Sequence, residues 1–240
     1  MVRLTFKKSS KYDTDFVKEN MMGPNPMKIL EEIAESLKFE KGMRVLDLGC
    51  GRALTSIFLA KEYDVTVFAT DLWISATDNY ERIRSTGLED KIIPIHAEAH
   101  DLPFANEFFD LAVCVDAYHY FGIEENYLTD HLAPLVKKGC QIAVAVPGLK
   151  KEFTDGVPAE LQPYWCEDMD LTLHSRDWWY DLWKKSDSVS IQECKELNCL
   201  EEAWQDWLSC DNDYARRDIE MMEAEGGNYF NLVSIIATKL

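Results

Sequence analysis

The sequence has no long hydrophobic run. No apolar stretch approaches the roughly 20 residues that a membrane-spanning helix needs, and residues 1–10 are basic without an apolar block behind them. The second feature argues against a secretory signal. These absences predict a cytoplasmic protein with no membrane partner.

Paired cysteines are also absent. The seven cysteines are scattered along the chain, their number is odd, and no C-x-x-C pair occurs. A disulfide framework and a zinc site both depend on regular cysteine spacing. We therefore expect reduced thiols and no metal site.

Positive charge is scarce. The chain has 25 lysines and arginines against 43 aspartates and glutamates, which gives a formal net charge of −18. Because phosphate neutralisation supplies most non-specific affinity for nucleic acid, we do not expect a nucleic-acid partner. A chain of 240 residues fits one domain, and we expect a monomer or a homodimer.

What the sequence does contain is an alternation of apolar strands with helices, which predicts a doubly wound α/β sheet. Several strands are almost continuously apolar, as in parallel strands buried on both faces. Helices are predicted over residues 54–62, 75–85, 124–136 and 200–225, with Gly139 as a C-terminal cap. The predicted strands are residues 43–48, 65–70, 91–96, 109–115, 140–146, 188–195 and 229–238.

This alternation divides the single predicted domain, residues 1–240, into four parts. Residues 1–42 form an N-terminal arm and a helix that Asn25 caps. Residues 43–147 form a binding core. The regular pattern stops after Pro147, so residues 148–187 are predicted to be a lid or insert. Residues 188–240 are predicted to complete the sheet.

A glycine loop follows the first predicted strand. Gly49 and Gly51 would let backbone approach a nucleotide-like ligand closely. A dinucleotide fingerprint needs a third glycine where this chain has Leu54, which disfavours a nicotinamide-dependent oxidoreductase. Asp71, about 20 residues further on, could hold ribose hydroxyls or merely cap the next helix.

Four segments together resemble the motifs of one enzyme family. Asp47-x-Gly49-x-Gly51 resembles acid-x-Gly-x-Gly, and residues 96–104 (HAEAHDLPF) resemble G-D-A-x-x-L-P-F. Residues 109–120 (FDLAVCVDAYHY) resemble F-D-L-V-x-S-x-x-x-x-H, and residues 135–142 (LVKKGCQI) resemble L-K-P-G-G-x-I. Their order is similar to that of the class I S-adenosylmethionine-dependent methyltransferases.

The resemblance implies a Rossmann-like, mostly parallel seven-stranded sheet whose last strand is antiparallel, with S-adenosylmethionine as the cofactor. It implies that the carboxylate at position 98 accepts from the adenine amino group and that the next backbone N–H faces the ring. The cofactor-binding residues implied by the resemblance are Asp47, Gly49, Cys50, Gly51, Asp71, Leu72, Glu98, Ala99 and Val115.

The reaction needs a general base only if the acceptor must lose a proton. His119 and His174 are the predicted candidates, although His119 could be a structural residue and His174 could only orient a helix cap. Tyr12 is predicted to close the pocket from the N-terminal arm. Asp116 could face the donor's ammonium or simply end its strand, and residues 21–26 could cover the cofactor or form an ordinary turn.

The acceptor is predicted to be a small molecule. We expect it over the end of the fourth strand, under a cover built from the N-terminal arm and residues 148–183, because aromatic residues concentrate in those segments. The tryptophans at 178, 179 and 183 are predicted to pack a helix against the core rather than to form a cage around a cation. The alternative function is a non-catalytic regulator that binds S-adenosylmethionine or another nucleoside.

Overall fold

The computed structural model describes residues 6–240, and its central element is an eight-stranded sheet with helices on both faces. The strands are β1 Arg44–Leu48, β2 Thr66–Asp71, β3 Ile92–His96, β4 Phe109–Val115, β5 Val136–Leu149, β6 His174–Ser175, β7 Val189–Glu196 and β8 Phe230–Lys239. The helices are α1 Thr14–Asn20, α2 Pro26–Ile33, α3 Leu54–Tyr63, α4 Ala76–Ser85, α5 Glu167–Thr172, α6 Arg176–Trp183, α7 Leu200–Leu208 and α8 Asp213–Glu225.

The strand order is β3-β2-β1-β4-β5-β8-β7, and the two-residue β6 pairs with the end of β5. Strands β1 to β5 are parallel, whereas β8 runs antiparallel to both of its neighbours. The predicted doubly wound sheet with an antiparallel last strand is confirmed. Its strand order reverses between β1 and β4, and open α/β sheets bind ligands in the crevice at such a reversal.

Alternation along the strands divides the core between the two faces of the sheet. Val45 of β1 packs with Ile57 and Phe58 of α3 on one face, and Leu46 packs with Phe109 of β4 on the other. Helix α3 is buried along the whole stretch 54–60. A helix that is apolar on all sides must lie inside the protein, so α3 holds the glycine loop at its N-terminus against the sheet.

The predicted helix over residues 124–136 is wrong. Residues 124–126 form a turn, a π-helix follows at Leu128–Leu132 and a 3-10 helix at Ala133–Leu135, and β5 already begins at Val136. Pro134 has no N–H to donate to a regular α-helix. Gly139 is consequently not a helix cap but lies within β5, at φ +77°.

The predicted helix over residues 200–225 is two helices, α7 and α8. Asn212 adopts an extended conformation, and its side chain accepts from Ala215 N at 2.8 Å. A side chain that caps a new helix in this way separates it from the preceding one. This break creates the loop 209–212, which borders a cavity.

Residues 148–183 pack against the sheet instead of forming an open lid. Leu161 is buried in a cluster with Leu149 and Phe230. Trp179 and Trp183 of α6 are fully buried, which agrees with helix packing rather than a cation cage. Among the helices within residues 6–240, none is both long and apolar enough to cross a bilayer.

Candidate active site

The glycine loop after β1 is tied to the end of β2. The N–H groups of Gly49 and Cys50 both donate to the carbonyl oxygen of Thr70, at 2.8 and 3.1 Å. Gly49 and Gly51 have φ of +69° and +52°, in the left-handed region that glycine adopts without a steric penalty. The loop therefore presents bare backbone at the strand-order reversal.

Asp71 organises the neighbouring turn. Its carboxylate accepts from Gly51 N at 2.8 Å, from Trp73 N at 2.8 Å and from Ile74 N at 2.9 Å. One side chain thus joins the glycine loop to the connection between β2 and α4. Asp71 borders a cavity, so its remaining lone pairs are available to a ligand.

That cavity has a volume of about 180 Å³ and lies at the carboxyl ends of β1, β2 and β4. Eight of the nine residues implied as cofactor-binding border it. They are Gly49, Cys50, Gly51, Asp71, Leu72, Glu98, Ala99 and Val115. Residues in four separate loops therefore converge on one space, as the strand order requires.

Asp47, the ninth residue, does not border the cavity but lies behind the loop. Its Oδ2 atom accepts from Thr55 Oγ1 at 2.6 Å and from Ser56 Oγ at 2.5 Å. Burial raises the pKa of Asp47 to about 6. Its side chain joins β1 to the first turn of α3 and positions the glycine loop from below.

Glu98 is held by His100. Its two carboxylate oxygens accept from the backbone N–H and the Nδ1 atom of His100, both at 2.8 Å. His100 Nε2 lies 3.3 Å from Glu124. The hydrogen bond to His100 lowers the pKa of Glu98, and the same bond raises the pKa of His100. An adenine amino group would share Glu98 with this imidazole.

Two further features border the cavity without belonging to the nine residues implied as cofactor-binding. The segment between α1 and α2 borders the cavity with Met22, Gly23 and Pro24, and Asp116 borders it from the end of β4. Asp116 has a left-handed backbone, at φ +58°. Burial, with a smaller contribution from Asp218, raises the pKa of Asp116 to about 7.

A second, larger cavity of about 1230 Å³ adjoins the first. The two share Met22, Arg52, Trp73 and Tyr120. The other walls of the second cavity, called the basin below, come from α1 and from residues 207–216 around the break between α7 and α8. Its aromatic side chains are Trp73, Tyr120, Trp207 and Tyr214.

The three predicted catalytic residues do not border either cavity. His119 is 4% exposed, and burial lowers its pKa to about 3, so its imidazole is neutral. His174 stacks on Trp178 with ring centroids 3.6 Å apart. Tyr12 packs against Phe58 instead of closing the pocket.

The two segments of the predicted acceptor cover lie differently relative to the cavities. Helix α1 does border the basin, but no residue from 148 to 183 borders either cavity in the described part of the chain. The long strand β5 carries this segment past the site, where its aromatic residues find partners on β8. The break between α7 and α8 supplies the missing wall.

A parallel sheet with a glycine loop, an acid after β2 and a cavity at the strand-order reversal defines a nucleoside-binding α/β domain. Residues 45–139 match the family model described as "Methyltransferase domain". This match covers less than half of the chain and agrees with the resemblance to the class I S-adenosylmethionine-dependent methyltransferases. It supports S-adenosylmethionine as the cofactor, as the motifs predicted.

Curated and solved proteins agree with this assignment. The chain is 29% identical over 124 residues to O-methyltransferase rstn1 of Aspergillus nomiae, which covers 49% of this chain and 52% of the fungal protein. The chain thus spans about half the length of this curated relative. Two solved structures share the fold at lower identity.

The first is a putative sarcosine dimethylglycine methyltransferase from Galdieria sulphuraria, with a TM-score of 0.69, 17% identity, and coverage of 89% of this chain and 84% of that one. The second is geranyl diphosphate C-methyltransferase from Streptomyces coelicolor A3(2), with a TM-score of 0.65, 14% identity, and coverage of 97% and 79%. At these identities the likeness shows the fold alone.

Proposed function

We propose that this protein transfers a methyl group from S-adenosylmethionine to a small-molecule acceptor that binds in the basin. The observation that carries the proposal is the junction of the two cavities, which share Met22, Arg52, Trp73 and Tyr120. A donor in the first cavity and an acceptor in the basin would meet at this junction.

The residues around the first cavity fit the donor. The bare backbone at Gly49 and Gly51 leaves room for close approach, and Asp71 offers a carboxylate where a ribose would lie. When bound, the donor supplies a methyl group on a positively charged sulfur. The chain's own contribution is to hold the acceptor in line with that methyl group, at about 3–3.5 Å, and to exclude water.

The basin fits a small acceptor better than a polymer. Its aromatic walls suit a small ligand that is held by a few polar groups. Arg216 pairs with Asp211 at 2.6 Å and with Asp213 at 3.0 Å. Four acidic side chains border the basin against three basic ones, which disfavours a phosphate backbone. These features support the predicted small molecule over a nucleic acid.

The test is a turnover screen with the full chain. S-adenosylhomocysteine release is measured across amines, alcohols, phenols, thiols and carboxylates, and donor binding is measured by calorimetry. We expect binding of the donor and release above background with at least one small acceptor class. Donor binding without turnover of any class would favour the non-catalytic regulator, and NAD binding without donor binding would refute the proposal.

A further inference from the structure

Asp116 is a carboxylate at the cavity that the protein leaves without a partner. Its backbone N–H donates to Ala145 O at 2.8 Å, but no side chain within residues 6–240 donates to its carboxylate or pairs with it. Asp116 is partly buried, and a carboxylate that loses part of its contact with water is costly unless it is paired or hydrogen-bonded. The missing partner is expected from a ligand, because Asp116 borders the cavity.

Asp218 of α8 is the charged side chain that acts on Asp116, and it adds repulsion. Arg52 borders the same cavity, but its Nη1 atom donates to the carbonyl oxygen of Glu19. Burial, with a smaller contribution from Asp116, raises the pKa of Tyr120 to about 12. The adjacent His119 is buried and uncharged. The surroundings thus favour a positively charged ligand group over a neutral or negative one.

The backbone of Asp116 has an uncommon conformation that fixes the direction of its carboxylate. Asp116 is one of four non-glycine residues with positive φ in the described chain. Such conformations persist where the surrounding structure enforces them, often at functional sites. Gly23 lies directly against the Asp116 carboxylate, and a side chain at position 23 would collide with it. The segment between α1 and α2 therefore leaves space for this one side chain.

Aromatic side chains border the same region. Trp73 and Tyr120 meet edge to face, with ring centroids 5.1 Å apart, and both border the two cavities. Trp207 borders the basin and donates from Nε1 to Asp218 at 2.7 Å. A carboxylate beside aromatic faces is a combination that binds organic cations.

We infer that the acceptor is an amine, whose ammonium group reaches from the basin past the shared Tyr120 to the Asp116 carboxylate in the first cavity. This inference rests on the proposed function and narrows its acceptor to one chemical class. It makes Asp116, rather than either predicted histidine, the residue that holds and deprotonates the acceptor.

The proposed reaction consists of one proton transfer and one methyl transfer. The acceptor ammonium gives one proton to the Asp116 carboxylate and so exposes its nitrogen lone pair. That lone pair forms the C–N bond as the C–S bond breaks, and the electrons of the broken bond stay on sulfur. The products are an N-methylammonium, the neutral thioether and a protonated Asp116, which releases its proton to water.

One competing role for Asp116 can be separated by experiment. The donor also carries an ammonium group, on its methionine portion, and Asp116 could serve that group instead. The two roles predict different losses in Asp116→Asn. A donor contact would weaken binding of S-adenosylhomocysteine, whereas an acceptor contact would leave it intact.

The experiment uses the full chain saturated with S-adenosylhomocysteine, at about pH 8, where an alkylammonium with a pKa near that of lysine, about 10.4, stays charged. Calorimetry compares two probes of the same shape, phenethylammonium and 2-phenylethanol. Asp116→Asn is the test variant, since asparagine also tolerates the left-handed conformation. Asp155→Asn, in an exposed turn outside both cavities, is the matched control.

We expect phenethylammonium to bind at least about tenfold more tightly than 2-phenylethanol, as charge-assisted hydrogen bonds do over neutral ones. Asp116→Asn should remove this preference without changing affinity for S-adenosylhomocysteine, and Asp155→Asn should retain it. The preference in the wild-type protein is itself a test, even if the variant does not fold.

Three results would overturn the inference: equal affinity for the two probes, no detectable binding of the ammonium to the S-adenosylhomocysteine complex, or weaker S-adenosylhomocysteine binding by folded Asp116→Asn. Failure of the wild-type chain to bind S-adenosylhomocysteine would instead refute the proposed function. The two failures are therefore distinguishable.

Discussion

The two cavities of this domain are built in different ways. Most of the first cavity is assembled from loops that directly follow β1, β2, β3 and β4, so neighbouring strands place these residues together, and the segment between α1 and α2 completes it. The basin joins α1 to the break between α7 and α8, near opposite ends of the chain. Cys210, at the break, contacts the carbonyl oxygen of Lys18 in α1 at 3.6 Å.

The two cavities also differ in the exposure and hydrogen bonding of side chains that border them. Asp71 is 7% exposed and accepts three backbone hydrogen bonds, whereas Tyr214 in the basin is 73% exposed. Rigid, buried walls suit a ligand that a whole family shares, and exposed walls can vary with the acceptor. The comparison predicts that changes at the first cavity affect all binding and changes at the basin affect only the acceptor.

The largest expected effect is at the glycine loop. Gly51→Val should weaken S-adenosylhomocysteine binding by about a hundredfold, since overpacking a closed contact costs about 1–3 kcal/mol and 1.4 kcal/mol is about tenfold. Gly87→Val is the matched control, because Gly87 also has positive φ but an added Cβ meets nothing within 4 Å. Equal binding by the two variants in calorimetry would contradict this prediction.

The next effect concerns Asp71. Asp71→Ala should cost about 1.5–3 kcal/mol of donor binding, as loss of a charge-assisted hydrogen bond does, and should lower the melting temperature because three backbone donors lose their acceptor. Asp78→Ala, in the first turn of α4, is the control. If Asp71→Ala binds the donor as well as wild type, the ribose assignment is wrong.

A smaller effect is expected in the basin. Tyr214→Ala should weaken phenethylammonium binding a few-fold, about 1 kcal/mol for an exposed cation–π contact, and leave S-adenosylhomocysteine binding unchanged. Tyr180→Ala on α6 is the control, because Tyr180 is also exposed but borders neither cavity. Calorimetry measures the affinity of each variant for both ligands. A larger loss of phenethylammonium affinity in Tyr180→Ala than in Tyr214→Ala would indicate that residues 148–183 cover the acceptor.

The smallest effect concerns pH. The pKa of Asp116 is raised to about 7 by burial and by Asp218, so the carboxylate gains charge as pH rises through that value. Phenethylammonium binding should strengthen from about pH 6 to about pH 8. Asp218→Asn removes a repulsion and should shift the midpoint down by about half a unit. A midpoint that stays fixed or moves up would show that Asp218 does not influence Asp116.

Features that depend on residues close together in the sequence could be predicted. The glycine loop and Asp71 could be predicted because positive φ requires glycine and an acid at a strand end meets the next loop. Asp47 is predicted to bind the cofactor, but it lies in β1 and does not border the cavity. Its contacts with Thr55 and Ser56 depend on how α3 docks. Gly139 is predicted as a helix cap, whereas β5 begins at Val136 and runs through it. The hydrophobic pattern does not distinguish a buried helical segment from the start of a buried strand.

The sequence by itself determined the parallel core and most of the loops that surround the first cavity, because these follow from local backbone preferences and from strand periodicity. Only the tertiary structure decided which aromatic residues border the basin, that His119 is buried and neutral, and that Asp116 lacks a partner. Those features depend on contacts between segments up to about 190 residues apart, such as Cys210 with the carbonyl of Lys18. No local pattern encodes which distant surfaces will meet.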